Sequence, residues 1–143
     1  RSTDIVRASS SLPFVTPISY VDGRPMLDGG IADSIPVVRA TEQGFDNCLV
    51  VLTRNAGYRK SAKPSFVPWF AYRRYPMLQE AIRHRTAEYN KKMELVERLE
   101  SEGRITVIRP ERPIEVGRME RDAHRLLALY NEGYDLASKV EIG

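Results

Sequence analysis

The sequence predicts an α/β fold, and three observations carry that expectation. Cys48-Leu49-Val50-Val51-Leu52-Thr53 is a continuous apolar run, the pattern of a strand covered on both faces in a parallel sheet. Ahead of it, Met26-Leu27 leads into Asp28-Gly29-Gly30, and a short helical stretch follows. Behind it, residues 77–139 read as helix, strand and helix. The order strand, carboxylate loop, helix, buried strand is that of an α/β domain. It places Asp28 at a strand end, where open α/β sheets tend to keep their ligands.

Each element has a local reason. Thr3 to Ser11 reads as a short helix, capped by Ser2 or Thr3, given apolar contacts by Ile5, Val6 and Ala8, and stopped by Pro13. Phe14 to Val21 reads as extended. Asp22-Gly23 is a two-residue hairpin signal, and Arg24 to Leu27 forms the returning strand. That gives Asp22 a structural role. Asp33 and Ser34 precede Ile35-Pro36 and read as the N-cap of a helix from Pro36 to Gln43, which Gly44 ends. Asp46-Asn47 then leads into the apolar strand.

Met77 to Glu102 is the clearest helix, with Leu78, Ile82, Tyr89, Met93, Val96 and Leu99 near one stripe. Arg83, Lys91, Glu94 and Glu97 fall elsewhere, and Glu88 with Lys92 and Glu94 with Arg98 have favourable ion-pair spacing. Gly103 ends the helix. Ile105 to Ile108 is a short strand closed by Pro110 and Pro113. A last helix is expected from about Arg118 to Lys139, with Met119, Ala123, Leu126, Leu127, Tyr130, Tyr134 and Ala137 on one side. No repeat or low-complexity segment interrupts the chain.

Residues 54–76 are the least regular part. Here Arg54, Arg59, Lys60, Lys63, Arg73 and Arg74 alternate with Tyr58, Phe66, Trp69, Phe70, Tyr72 and Tyr75. Irregular stretches of this length are uncommon and often functional. Three readings stand: aromatics packed on the body or on another subunit, aromatics and cations at a lipid surface, or stacking on single-stranded nucleic acid. A net charge of only +3 argues against the last and permits weak attraction to anionic surfaces. For lipid contact the candidates are Phe66, Trp69, Phe70, Arg73 and Arg74.

Composition fits one soluble globular domain: 143 residues, 42% apolar and 29% charged. The single cysteine, Cys48, excludes an internal disulfide and a Cys-rich metal site. Its apolar setting reads as a buried, inert thiol. No clustered His, Cys or carboxylate ligands at binding spacing occur, so no metal or other cofactor is expected. No apolar run of membrane-spanning length and no signal peptide is present.

Asp28 is the best candidate for a catalytic residue, because a carboxylate on a strand lip followed by Gly29 and Gly30 is held firmly and open from one side. Asp-Gly-Gly is also an ordinary tight turn. The wider run resembles the carboxyl-terminal motif block of the patatin-like phospholipase family. In that family an A-S-x-x-x-P segment, here Ala8-Ser9-Ser10-Ser11-Leu12-Pro13, leads through a strand pair to a D-G-G or D-G-A motif, here Asp28-Gly29-Gly30. A proline, here Pro36, follows. The resemblance is specific over about residues 5–38. One position departs: many relatives carry Asn just after the second Asp, where Ser34 stands here.

The resemblance implies part of a three-layer α/β/α patatin-like fold with a mainly parallel sheet. It also implies a Ser-Asp dyad whose acid is Asp28. The family's nucleophile sits in a G-x-S-x-G elbow, and no Gly-x-Ser-x-Gly occurs in these residues. The chain opens with Arg1 and enters the family pattern partway along, so the expectation is a carboxyl-terminal portion that holds the acid without the nucleophile. Its divisions would be a catalytic-acid segment (about 1–53), an aromatic-basic loop (about 54–76) and a helix-strand-helix part (about 77–143). A Ser-His-Asp triad is disfavoured, since the only histidines, His84 and His124, fall in helices away from the Asp28 loop.

The expected partner is a lipid or acyl-ester substrate, with a membrane surface and a homo-oligomer left open and no nucleic acid. The expected location is cytoplasmic, at most peripheral to a membrane. The competing reading is a non-catalytic α/β binding or interaction domain in which Asp28-Gly29-Gly30 is only a turn.

Overall fold

The computed structural model describes residues 2–45, 47–61, 63, 65–68, 70–117 and 119–140. It is a mixed α/β chain with two two-stranded sheets, one antiparallel and one parallel. It divides into two compact units: residues 1–36 with 60–92, and residues 37–59 with 93–143.

In the first unit, helix α1 spans Ser2–Ser9, with Asp4 in its first turn and Arg7 in its last, the charge order that suits a helix dipole. Ser11 ties off its end. Its buried hydroxyl donates to the Arg7 carbonyl at 2.8 Å and shares a hydrogen bond with the buried Ser19 hydroxyl at 2.8 Å. Strand β1, Ser19–Val21, pairs antiparallel with β2, Arg24–Met26, with Val21 opposite Arg24. Asp22 and Gly23 turn between them with φ of 49° and 74°, both in the left-handed region a two-residue hairpin needs. The extended stretch expected from Phe14 is shorter than predicted. The Leu12 carbonyl accepts from both Val15 N and Thr16 N, and Phe14 sits at φ 65°, so this part is a turn. Ile31, Val67 and Ile82 form the core, with Leu27, Tyr72, Leu78 and Ala81 packed against them.

The second unit holds α2, Val37–Glu42, and the parallel pair of β3, Cys48–Val51, with β4, Ile105–Ile108. Cys48 lies opposite Ile105 and Val51 opposite Ile108, and Leu52 N extends the ladder to the Ile108 carbonyl at 2.8 Å. The strand expected to be covered on both faces is not. Leu49 and Val51 are exposed while Cys48 and Val50 are half-buried, because alternate side chains of a strand point to opposite faces and here only one is covered. Cys48 is therefore half-buried, its thiol near the Phe45 carbonyl at 3.3 Å, and not the buried thiol expected.

Helix α3, Pro76–Ser101, supplies its first part to the first unit and the remainder to the second. Met93 and Val96 are fully buried and Leu99 nearly so, as the stripe predicts. Gly103, at φ 68°, ends it by donating to the Glu100 carbonyl, while Arg104 N returns to Leu99 O. The expected pairs on this helix rearrange. Glu88 pairs with Lys91 at 2.8 Å, since Lys92 turns instead to Asp33, and Arg98 approaches Glu102 at 4.0 Å.

Helix α4 is Ala123–Ser138, capped by Asp122, whose carboxylate accepts from His124 N and Arg125 N. It starts later than expected; Arg118 lies outside the described residues, as does Asp46. Its predicted apolar side is solvent-facing, with Leu126, Leu127, Tyr130 and Tyr134 all exposed. Among the described residues no helix is long and apolar enough to cross a membrane.

Candidate catalytic-acid site

Two residues past β2, the backbone N–H of Asp28 donates to the Ser11 carbonyl at 2.8 Å. This bond joins the Ala8–Pro13 segment directly to the Asp-Gly-Gly turn. Gly29–Ile31 then forms one turn of 3-10 helix, and Asp28 is its N-cap. Asp28 Oδ1 accepts from Gly30 N at 2.7 Å. Among the described residues that bond occupies Oδ1 and leaves Oδ2 without a partner; the side chain is half-buried.

The two glycines differ. Neither is in the left-handed region, so conformational freedom is not what the turn takes from them. A Cβ on Gly30 would stand 3.0 Å from Asp28 Oδ1 and 3.8 Å from Arg85 Nη2, whereas one on Gly29 would meet nothing within 4 Å. A side chain at Gly30 would thus crowd the Asp28 carboxylate, which would have to shift by a few tenths of an ångström, while Arg85 lies at ordinary contact distance.

Helix α3 holds the other side of the turn. Arg85 Nε donates to the Gly30 carbonyl at 3.1 Å, and Ser34 Oγ donates to the same oxygen at 2.7 Å. Two turns further along α3, Lys92 Nζ donates to Asp33 Oδ2 at 3.3 Å, while Asp33 Oδ1 accepts from Ile35 N at 3.3 Å. Both oxygens of Asp33 are engaged, but not as the N-cap expected of it with Ser34: α2 begins at Val37, and Asp33 instead closes a turn on Ile35 N ahead of the helix while Ser34 bonds back to Gly30. Ser34, the departure from the family pattern, bonds within the turn. Among the described residues, His84 and His124 are exposed, and no three of His, Cys, Asp and Glu are placed to hold a metal ion.

Ser11, Arg85 and Lys92 were not legible as site residues from motif alone. For Arg85 and Lys92 a signal existed. They continue the spacing of Leu78, Ile82 and Tyr89, so two cations sit on the apolar stripe of α3. Cations on a core-facing stripe need a polar partner there.

The aromatic-basic loop divides. Val67 is in the core, and Tyr72 packs its ring 5.3 Å from Phe14 while its hydroxyl accepts from Phe14 N at 2.9 Å. Phe66 and Phe70 are exposed at 86% and 66%, and Arg73 and Arg74 are exposed. Trp69 lies outside the described residues. Phe70, Tyr72, Arg73, Arg74 and Tyr75 line an open cleft of about 620 Å³. A hydrogen bond with Tyr20 pushes the Tyr75 phenol above its ordinary value. A smaller cleft of about 150 Å³, lined by Ile18, Pro25, Met26, Leu27, Tyr75 and Leu78, reaches the residue just before Asp28.

These features describe a mixed α/β chain whose amino-terminal part carries a braced carboxylate turn, and that part is similar to a hydrolase family. The family model for patatin-like phospholipase matches residues 1–41, and a domain of unknown function (DUF6363) matches residues 75–140. The chain is also similar to "Uncharacterized protein YjjU" of Escherichia coli (strain K12), 29% identical over 114 residues, which is 78% of this chain and 32% of that protein. The chain therefore spans about a third of the length of that curated relative. No solved structure matches it.

Proposed function

We propose that the chain is the acid-bearing part of a patatin-like serine ester hydrolase, with Asp28 as the general base of a Ser-Asp dyad. One observation carries this reading. Of the two acids in the turn, Asp33 has both oxygens engaged, whereas Asp28 is fixed through Oδ1 and presents Oδ2. A base needs that combination of a set orientation and an open lone pair.

In this reading the serine comes from sequence outside these residues. Asp28 Oδ2 accepts the serine proton as the hydroxyl attacks the ester carbonyl, then returns it to the leaving alcohol. Backbone N–H groups, also outside these residues, hold the oxyanion. An acyl-serine intermediate forms, and water hydrolyses it. The parallel β3–β4 pair would belong to a larger, mainly parallel sheet in a three-layer fold. The acid segment, loop and helix-strand-helix part would be portions of that one domain. The substrate class is an acyl lipid, and the small apolar cleft ending at Leu27 provides room for part of an acyl chain beside the acid. Phe66, Trp69, Phe70, Arg73 and Arg74 would meet the lipid surface of a peripheral, cytoplasmic enzyme. Binding to anionic vesicles that weakens with salt checks this, and salt-independent binding would count against it.

The test is turnover of a chromogenic short-chain ester. The full-length protein containing these residues hydrolyses it, and the 143-residue chain alone does not, because it has no nucleophile elbow. Turnover by the isolated chain, or none by the full-length protein on short- or long-chain esters, overturns the proposal. A binding domain in which Asp28 only caps a turn is the second reading. It is favoured by the Oδ1 bond to Gly30 N, which such a cap would also make.

A further inference from the structure

Helix α3 begins in the part of the chain similar to a domain of unknown function, and it reaches the acid turn twice from one face. Leu78 and Ile82 pack into or against the core that includes Ile31. Arg85 and Lys92, seven residues apart on either side of Tyr89, continue that face, and both are bonded to residues of the turn. The two contacts differ in kind. Lys92 meets the side chain of Asp33, which the proposed chemistry does not use. Arg85 meets the backbone of Gly30, whose N–H is the group that fixes Asp28 Oδ1. Gly30 is thus held from both ends, by Asp28 on its nitrogen and by Arg85 and Ser34 on its oxygen.

We propose that Arg85 is a positioning residue for Asp28: by holding the Gly30 carbonyl it fixes the 3-10 turn and so the direction of the carboxylate. This rests on the hydrolase reading for its catalytic consequence, though not for its structural one. It gives the first turns of α3 a function, namely bracing an acid that lies on a different segment. The bond is made by Nε, so its loss is a loss of a hydrogen bond and not merely of a charge. Glutamine places an amide nitrogen the same number of bonds from the backbone as Arg Nε, without the charge. Methionine keeps the apolar stem and has no donor.

The test compares Arg85→Met, Arg85→Gln and Asp28→Asn in the full-length protein. A loosened general base costs about tenfold to a hundredfold in rate. Arg85→Met is therefore expected to lower kcat by about tenfold or more with KM changed less than about twofold, and Arg85→Gln to recover most of the loss. Lys91→Met, which removes an exposed cation of the same helix, should leave kcat unchanged. Hydrogen exchange reads the structural half directly: amides of residues 28–35 should exchange about tenfold faster in Arg85→Met than in wild type, and near the wild-type rate in Arg85→Gln.

Wild-type kcat and exchange in Arg85→Met, alongside an inactive Asp28→Asn, overturn the inference and leave the hydrolase reading standing. Normal activity in Asp28→Asn overturns the hydrolase reading, and the exchange data then decide the positioning role alone. If Arg85→Met does not fold, the wild-type Arg85 Nε–H signal decides the matter. A slowly exchanging proton is expected, and one exchanging at the free-arginine rate overturns the inference.

Discussion

The Asp28 turn and helix α4 make an instructive pair. The turn is short and glycine-rich, yet its groups are bonded to Ser11, Ser34 and Arg85, and Ile31 within it is buried. Helix α4 has sixteen residues, a well-formed N-cap and a regular apolar stripe. It nevertheless buries none of its residues, and Tyr130 and Tyr134 stack on each other at 6.4 Å in the open. Periodicity states which side chains share a face. It does not state what covers that face, and the order of a segment follows from its partners more than from its regularity.

Substitutions can break or sharpen that contrast. The largest effect is expected where the turn meets the core. Ile82→Ala should lower stability by about 2–5 kcal/mol, the usual cost of emptying a buried aliphatic site, read as a fall in the urea midpoint at constant slope. A loss under about 1 kcal/mol would mean the turn is not anchored through this helix. Next in size is Gly30→Ala. Its Cβ would be crowded to 3.0 Å from Asp28 Oδ1, so a cost of about 1–3 kcal/mol is expected, as for other overpacked sites. Gly29→Ala at the open neighbouring position should cost well under half of that in the same urea titration; equal effects would remove the distinction between the two glycines. The smallest effect belongs to α4. Leu127→Ser, at an exposed stripe position, should change stability by no more than about 0.5 kcal/mol. A larger loss would show that the stripe is covered in solution.

Much of this arrangement could be read in the sequence, and the omissions have physical causes. The hairpin at Asp22-Gly23, the end of α3 at Gly103 and the buried stripe at Met93, Val96 and Leu99 follow from local rules, and the structure agrees. The strand from Phe14 failed because the Leu12 carbonyl, which no propensity describes, captures the following turn. The twice-covered strand at Cys48 failed because an apolar run shows capacity for burial and not the presence of a covering layer. For the site, position in the motif sets Asp28 apart from Asp33 as the proposed acid. That Gly30 and not Gly29 is the crowded position could not be read from it, since both are glycine and only the approach of Oδ1 separates them. Arg85 itself was visible only as a cation out of place on an apolar stripe, a signal that names no partner until the chain is folded.

The central claim is that Asp28 acts in chemistry while Asp33, five residues away, holds structure. The most direct measurement is kcat for ester hydrolysis by the full-length protein carrying Asp28→Asn or Asp33→Asn, with the urea midpoint of each. Asp28→Asn is expected to lower kcat by about a hundredfold or more, the scale of a lost general base, with little change in midpoint. Asp33→Asn, which weakens the contact with Lys92, should lower the midpoint and leave kcat within about threefold of wild type. A near-normal kcat in Asp28→Asn would contradict the account.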